Sequence, residues 1–161
     1  MNAVMTKKLS FRYEGQAERA LDRVDFKLDY GEVALLSGCS GSGKSTLLSV
    51  ICGIIPHVVS GDISGKAFVS GEDIGGMTMA EICRKVGVVL QNADAQIIQN
   101  TVEDEIAFGC ENFGMPREKI AENIARACEM MSLSPSWDPR TLSVGQKKRL
   151  MSACTLATDQ K

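Results

Sequence analysis

Residues 38–45 read Gly38-Cys39-Ser40-Gly41-Ser42-Gly43-Lys44-Ser45: a glycine, four residues, then glycine, lysine and a hydroxyl side chain in succession. No other feature of the chain constrains its fold as strongly. Glycine-rich backbone can turn successive N–H groups toward one point, and a helix beginning at the lysine adds the positive end of its dipole there. Such a loop has to be delivered by a strand and left by a helix. Ahead of it, Val33-Ala34-Leu35-Leu36 is a short continuous apolar run, which predicts a strand of a parallel sheet covered on both faces. Behind it, residues 45–55 are spaced as a helix, closed by Gly53 and by Pro56, which cannot continue it. Strand, loop and helix in this order predict an α/β fold.

The remaining segments fit that class. Residues 4–11 and 21–28 read as two strands around the turn Glu14-Gly15-Gln16, and the second sets Leu21, Val24, Phe26 and Leu28 against Asp22, Asp25, Lys27 and Asp29. A half-exposed antiparallel pair is expected. Small glycine-punctuated strands come next over 61–76, among them 66–70, then a short helix over 79–85 and an apolar strand over 86–90 that ends on Gln91. Beyond it the pattern becomes helical, over 101–113 and 116–131. The second helix carries Ile120, Ile124, Ala127, Cys128 and Met131 on one face and has Pro116 in its first turn. A proline-containing connection, 134–139, leads to Leu142-Ser143-Val144-Gly145-Gln146 and a last helix to about residue 158.

Composition narrows the function more by exclusion than by assignment. With 161 residues, 44% hydrophobic and 24% charged, the chain can bury a core of its own without disulfides or metal. A net charge of −2 provides no general attraction to nucleic acid or anionic lipid. No run approaches the roughly 18 apolar residues of a membrane-spanning helix. The six cysteines are scattered without a C-x-x-C pair, and His57 is the one histidine and reads as a loop residue. Five of the cysteines read as small apolar residues. Cys39 is the exception, because a thiol at a helix start beside Lys44 sits in surroundings that raise reactivity.

The chemistry of the loop derives from its residue types. A lysine placed at Lys44 reaches the β- and γ-phosphates of a bound nucleotide, and the Ser45 hydroxyl ligates its Mg²⁺. The backbone of Gly38, Cys39, Ser40, Gly41, Ser42 and Gly43, with Thr46 in the first helical turn, supplies the cradle.

The stretch Thr141-Leu142-Ser143-Val144-Gly145-Gln146-Lys147-Lys148-Arg149-Leu150 resembles the signature motif of ATP-binding-cassette (ABC) ATPases, usually L-S-G-G-Q, with Val144 in place of the first glycine. It lies roughly a hundred residues after the loop, where the family has it. The resemblance implies that Ser143 and Gly145 meet the γ-phosphate held by the loop of an opposing subunit, and it places Gln146 among the nucleotide-binding residues. Gln91 is similar to the family's Q-loop glutamine, which touches Mg²⁺ and the attacking water and links the nucleotide to the helical subdomain. Tyr13, in Phe11-Arg12-Tyr13, resembles the aromatic residue that stacks on adenine. The segments 88–98 and 101–109 are similar to the ATPases of energy-coupling-factor transporters, which import vitamins and metal ions, with Ala93 replacing the usual proline after Asn92.

The resemblance implies a P-loop core with an antiparallel β edge and an inserted helical subdomain. It divides the chain into 1–91 (core and β subdomain), 92–141 (helical subdomain) and 142–161 (signature helix). It further implies ATP and Mg²⁺ as cofactors, a second ABC ATPase subunit and a transmembrane subunit as partners, no direct contact with nucleic acid, and a cytoplasmic place on the inner face of the membrane. Two other readings are a non-catalytic fragment and a soluble ABC-type ATPase acting on nucleic acid. In the family, a strand ending in the Walker B aspartate and the catalytic base begins where this sequence reaches Asp159-Gln160-Lys161. The chain as given is therefore expected to bind ATP without hydrolysing it.

Overall fold

The computed structural model describes residues 2–160 and divides the chain into two compact units, 1–86 and 87–161. In the first unit β1 (Asn2–Tyr13), β2 (Leu21–Asp29), β3 (Gly61–Val69) and β4 (Glu72–Asp73) form an antiparallel sheet in the order β2-β1-β3-β4. The helices are α1 (Lys44–Ile51), α2 (Ile54–His57) and α3 (Met79–Cys83). In β2 Leu21 and Val24 lie three residues apart, which an even pleat would place on opposite faces. A register irregularity resolves this: Arg23 takes a left-handed φ of 49° and donates its N–H to Ser10 Oγ at 2.8 Å. The extra residue turns both side chains to the same face.

One face of the sheet is the core of this unit. Leu9 and Phe11 of β1, Leu21 of β2 and Val69 of β3 are buried against Leu47, Val50 and Ile51 of α1, together with Ile55, Ile74 and Ile82. Fully burying a side chain of this size stabilises by about 1.5–3 kcal/mol. The loop between β2 and α1 thus ends against this core, a Cβ on Gly43 coming within 3.0 Å of Leu21 Cδ2. α3 starts at a reciprocal cap in which Thr78 N–H donates to Glu81 Oε2 at 2.7 Å and Glu81 N–H to Thr78 Oγ1 at 3.3 Å.

Several expectations need correcting. The helix expected over 45–55 is α1, Lys44–Ile51, because Gly53 adopts a left-handed φ of 77° and ends it. A Cβ on Gly53 would also come within 2.6 Å of Ile82 Cδ1, the end of a side chain that would have to shift. The strand expected over 66–70 ends at Val69 and belongs to a longer one, β3, because 61–64 and 66–69 pair with β1 on either side of an irregularity at Gly65. Pro116 is the N-cap of its helix rather than a residue of the first turn.

The largest departure is at the two apolar runs. Residues 33–36 and 86–90 are irregular, with Val33 100% and Leu35 92% exposed. A strand is stable only when a neighbour accepts its N–H and C=O groups. Among the described residues, the four strands of the sheet pair only with each other, so nothing offers these runs a ladder.

The second unit is helical: α4 (Val102–Asn112), α5 (Arg117–Met131) and α6 (Val144–Ala157). Thr101 caps α4, its Oγ1 accepting the N–H of Asp104 at 3.1 Å. Three carboxylates in the first turn, Glu103, Asp104 and Glu105, favour the positive end of the helix. Val102, Ile106 and Cys110 of α4, Ile124, Ala127 and Cys128 of α5, and Leu150, Met151, Ala153 and Ala157 of α6 make one core. As expected from its spacing, α5 buries Ile124, Ala127 and Cys128.

Asn123 of α5 is 1% exposed and donates to the Ala157 carbonyl at 2.7 Å, closing the C-terminal end of α6. Asn123→Ala leaves that carbonyl only the weak donor of the Cys110 thiol at 3.4 Å, which costs about 1–3 kcal/mol for a buried group. Urea unfolding of the variant is expected to show this loss, with a midpoint equal to that of the parent as the contrary result.

Candidate functional site

The loop 38–45 takes its shape from its glycines. Gly43 is the N-cap of α1 with φ 85°, and a Cβ there would come within 2.4 Å of the Ala20 carbonyl oxygen. Only glycine satisfies both the left-handed backbone and this close approach. The helix then propagates normally, Leu47 N–H donating to Gly43 O at 2.8 Å. No acidic residue lies in the first turn of α1, so its positive end is not neutralised locally.

Lys44 folds back over the loop. Its Nζ donates to Gly38 O at 2.8 Å, Cys39 O at 2.6 Å and Ser42 Oγ at 3.0 Å. These bonds use all three of its N–H donors and hold the ammonium over the loop interior. An anion entering there exchanges neutral carbonyl partners for charged ones, which makes shorter and stronger hydrogen bonds. Residues 40–46, with Tyr13 and Ala20, line a cavity of about 470 Å³.

Tyr13 stands at the end of β1, its ring edge-on to Phe11 with centroids 4.9 Å apart and its hydroxyl 3.0 Å from Thr46 Oγ1. Phe11 is fully buried and Thr46 belongs to α1, so the aromatic side chain is fixed to both core and loop. The structure thus brings Tyr13, Gly38, Cys39, Ser40, Gly41, Ser42, Gly43, Lys44, Ser45 and Thr46 together in the first unit. The hydroxyl contact between Tyr13 and Thr46 is not visible in the sequence, because nothing there links two residues 33 positions apart.

The other expected residues lie in the second unit. Gln91 is exposed in the irregular segment after residue 90. Ser143 is the N-cap of α6: its Oγ accepts Gln146 N–H at 3.4 Å, and its own N–H donates to Gln146 Oε1 at 2.9 Å. Gly145, in the first turn, has open space where a Cβ would be, so another group can approach its backbone. Val144, in place of the usual glycine, is exposed and displaces nothing.

Cys39 is exposed, whereas burial pushes the thiols of Cys52, Cys110 and Cys128 upward and that of Cys154 up to about 12. The thiolate is the reactive form. Cys39 is expected to alkylate faster than those four, and MgATP to slow its labelling. Brief maleimide treatment followed by peptide mapping measures both effects, and labelling indifferent to nucleotide would remove Cys39 from the site.

Comparison with known proteins bears on the whole chain. Residues 21–161 match the family described as ABC transporter. A protein of Caldanaerobacter subterraneus named as an ABC transporter ATP-binding protein is 39% identical over 96% of this chain and 28% of its own length. One of Pyrococcus abyssi with the same description is 36% identical over 100% of this chain and 58% of its own. The chain therefore spans well under two thirds of the length of these curated relatives.

Among solved structures, cbiO1 from Clostridium perfringens, described as part of the ABC transporter complex cbiONQ, superposes with a TM-score of 0.86 at 25% identity, covering 99% of this chain and 63% of that one. A dimeric bacterial ABC transporter cassette superposes at 0.80 and 24% identity, covering 98% of this chain and 70% of that one, and shares the fold.

Proposed function

Because this chain belongs to the ABC transporter family, we propose that it is the ATP-binding part of a transporter ATPase, which couples ATP binding and hydrolysis to import of a small solute. The loop 38–45 carries this reading: Lys44 stands over three neutral acceptors at an uncompensated helix N-terminus, ready for phosphate. Lys44 would hold the β- and γ-phosphates, the Ser45 hydroxyl would ligate Mg²⁺, and Tyr13 would offer its ring to adenine. The open backbone at Gly145 beside the Ser143 cap suits a γ-phosphate presented by a second ATPase subunit, identical or related.

A bound Mg²⁺ would supply neutralisation of the phosphate charge. The Ser45 hydroxyl, in the first turn of α1, would give it one protein oxygen, the nucleotide's phosphates supplying the anionic ones. The chain's own residues would bind and orient the nucleotide, and by its resemblance to the Q-loop glutamine Gln91 is the residue that would meet Mg²⁺ and the attacking water.

A transmembrane subunit as partner, and a place on the cytoplasmic face of the membrane, belong to the same proposal. Among the described residues no helix is long and apolar enough to cross a membrane. The similarity to cbiO1, and the segments 88–98 and 101–109, favour an energy-coupling-factor type of importer for vitamins or metal ions. The division into 1–91, 92–141 and 142–161 is proposed with it.

Equilibrium titration with a fluorescent ATP analogue tests the proposal. Saturable, Mg²⁺-dependent binding displaced by unlabelled ATP is expected. Binding that never saturates, or that survives excess ATP, would overturn it.

A further inference from the structure

Within the second unit, the segment after residue 87 has no regular structure, yet side chains hold it at three points. Gln96 acts on it as a strand neighbour would: its Oε1 accepts Leu90 N–H at 2.8 Å and its Nε2 donates to Val88 O at 3.3 Å. Asp94, in the single turn over 93–95, pairs with Lys147 in the first turns of α6. Farther on, Glu105 of α4 accepts the N–H groups of Ile98 at 2.9 Å and Gln99 at 2.7 Å on one oxygen, Oε2. Gln91 lies between the first two of these anchors.

Two of the anchors are out of character for their positions. Glu105 is only 5% exposed. Burying a carboxylate is unfavourable unless hydrogen bonds and charge compensate it, and here the two backbone donors and the positive end of α4 do so. The side chain of Lys147 is only 15% exposed and it is turned onto Asp94 rather than into solvent. An apolar residue at either site would pack without these requirements. What the charged residues add is a fixed direction.

We propose that Glu105 and the Asp94–Lys147 pair are positioning residues that join the Gln91-bearing segment to the signature turn 143–146, so that displacement of one is transmitted to the other. The mechanical claim stands on the hydrogen bonds above, and its use in the nucleotide response rests on the function proposed here. The path is short. Glu105 holds 98–99, Ala93 is buried in the core beside Asp94, and Lys147 carries the connection into the turn capped by Ser143.

Hydrogen–deuterium exchange on the full chain without nucleotide is the test. Glu105→Ala is expected to speed exchange of the Ile98 and Gln99 amides about tenfold or more. It should also speed the Gln146 and Lys147 amides, which Ser143 protects. In a Lys147→Met background the second effect should disappear while the first remains. Glu105→Gln, which keeps an acceptor oxygen, should restore most of the protection at 98–99. The amides of α5 should stay as in the parent, which separates positioning from general destabilisation. The proposal is overturned if Glu105→Ala leaves the α6 amides within about twofold of the parent, or if its effect there is unchanged by Lys147→Met.

With MgATP added, slowed exchange over 91–99 should be accompanied by slowed exchange at 144–148, and Lys147→Met should keep the first without the second. Protection confined to 91–99 in the parent would also refute the link. Failure to bind ATP at all would sink the proposed function, while the nucleotide-free measurements would still decide the positioning role.

Discussion

Lys44→Ala is expected to weaken MgATP binding by roughly 100-fold or more. The side chain supplies the ammonium of the loop, and each charge-assisted hydrogen bond to a phosphate contributes about 1.5–3 kcal/mol. Losing two such bonds corresponds to at least two powers of ten, at about 1.4 kcal/mol for each. In the free chain the same ammonium ties together Gly38 O, Cys39 O and Ser42 Oγ. The variant therefore loses both a ligand partner and part of the order of the empty loop. The loop is solvated and its backbone shape is set by Gly41 and Gly43, so the thermal midpoint should change little. Titration with the fluorescent analogue, alongside thermal unfolding, separates the two effects. Affinity within about threefold of the parent in a folded variant would show that Lys44 does not meet the phosphates.

Phe11→Ala is expected to cost the first unit about 3–5 kcal/mol, the usual range for deleting a buried aromatic side chain. Phe11 is fully buried in β1, within the cluster formed with Leu9, Leu21, Leu47 and Val50. Against a typical net stability of about 5–15 kcal/mol, that is a large fraction. The damage should reach the site, because the Phe11 ring supports Tyr13 edge-on. Loss of ATP affinity below the unfolding temperature should therefore accompany the lower midpoint. Phe11→Leu, which refills most of the volume but lacks the aromatic edge, should recover most of the stability and less of the affinity. A Phe11→Ala variant as stable as the parent would mean that the cluster does not carry the unit.

The first of these outcomes could be expected from residues 38–45 alone, whereas the second depends on contacts that no short stretch reveals. Gly43 takes a left-handed backbone because it lacks a Cβ, and it starts α1 because the residues after it form a helix; Gly53 ends the same helix by the same left-handed freedom. Helix hydrogen bonds close within four residues, so the helical half of the chain was legible: α4 and α5 lie within about a residue of their expected bounds, and the buried face of α5 carries the apolar residues that its spacing selected. The antiparallel pair β1 and β2 was legible too, since the alternation in β2 is local and its connection is short.

Strands are decided elsewhere in the chain. Residues 33–36 and 86–90 have the apolar character of buried strands, but a ladder can only come from another strand, and among the described residues none is offered; the Gln96 side chain bonds Leu90 and Val88 instead. The same distinction runs through the candidate site. The types and spacing of Gly38, Gly43, Lys44 and Ser45 announced phosphate chemistry, because the groups that bind phosphate lie within one loop and one helical turn. The hold of Thr46 on Tyr13, of Glu105 on residues 98–99 and of Lys147 on Asp94 became visible only in three dimensions. Sequence by itself determined the conformations whose bonds close within a few residues. Tertiary structure decided those whose partners are tens of residues away, since which distant donor meets which acceptor depends on how the elements pack.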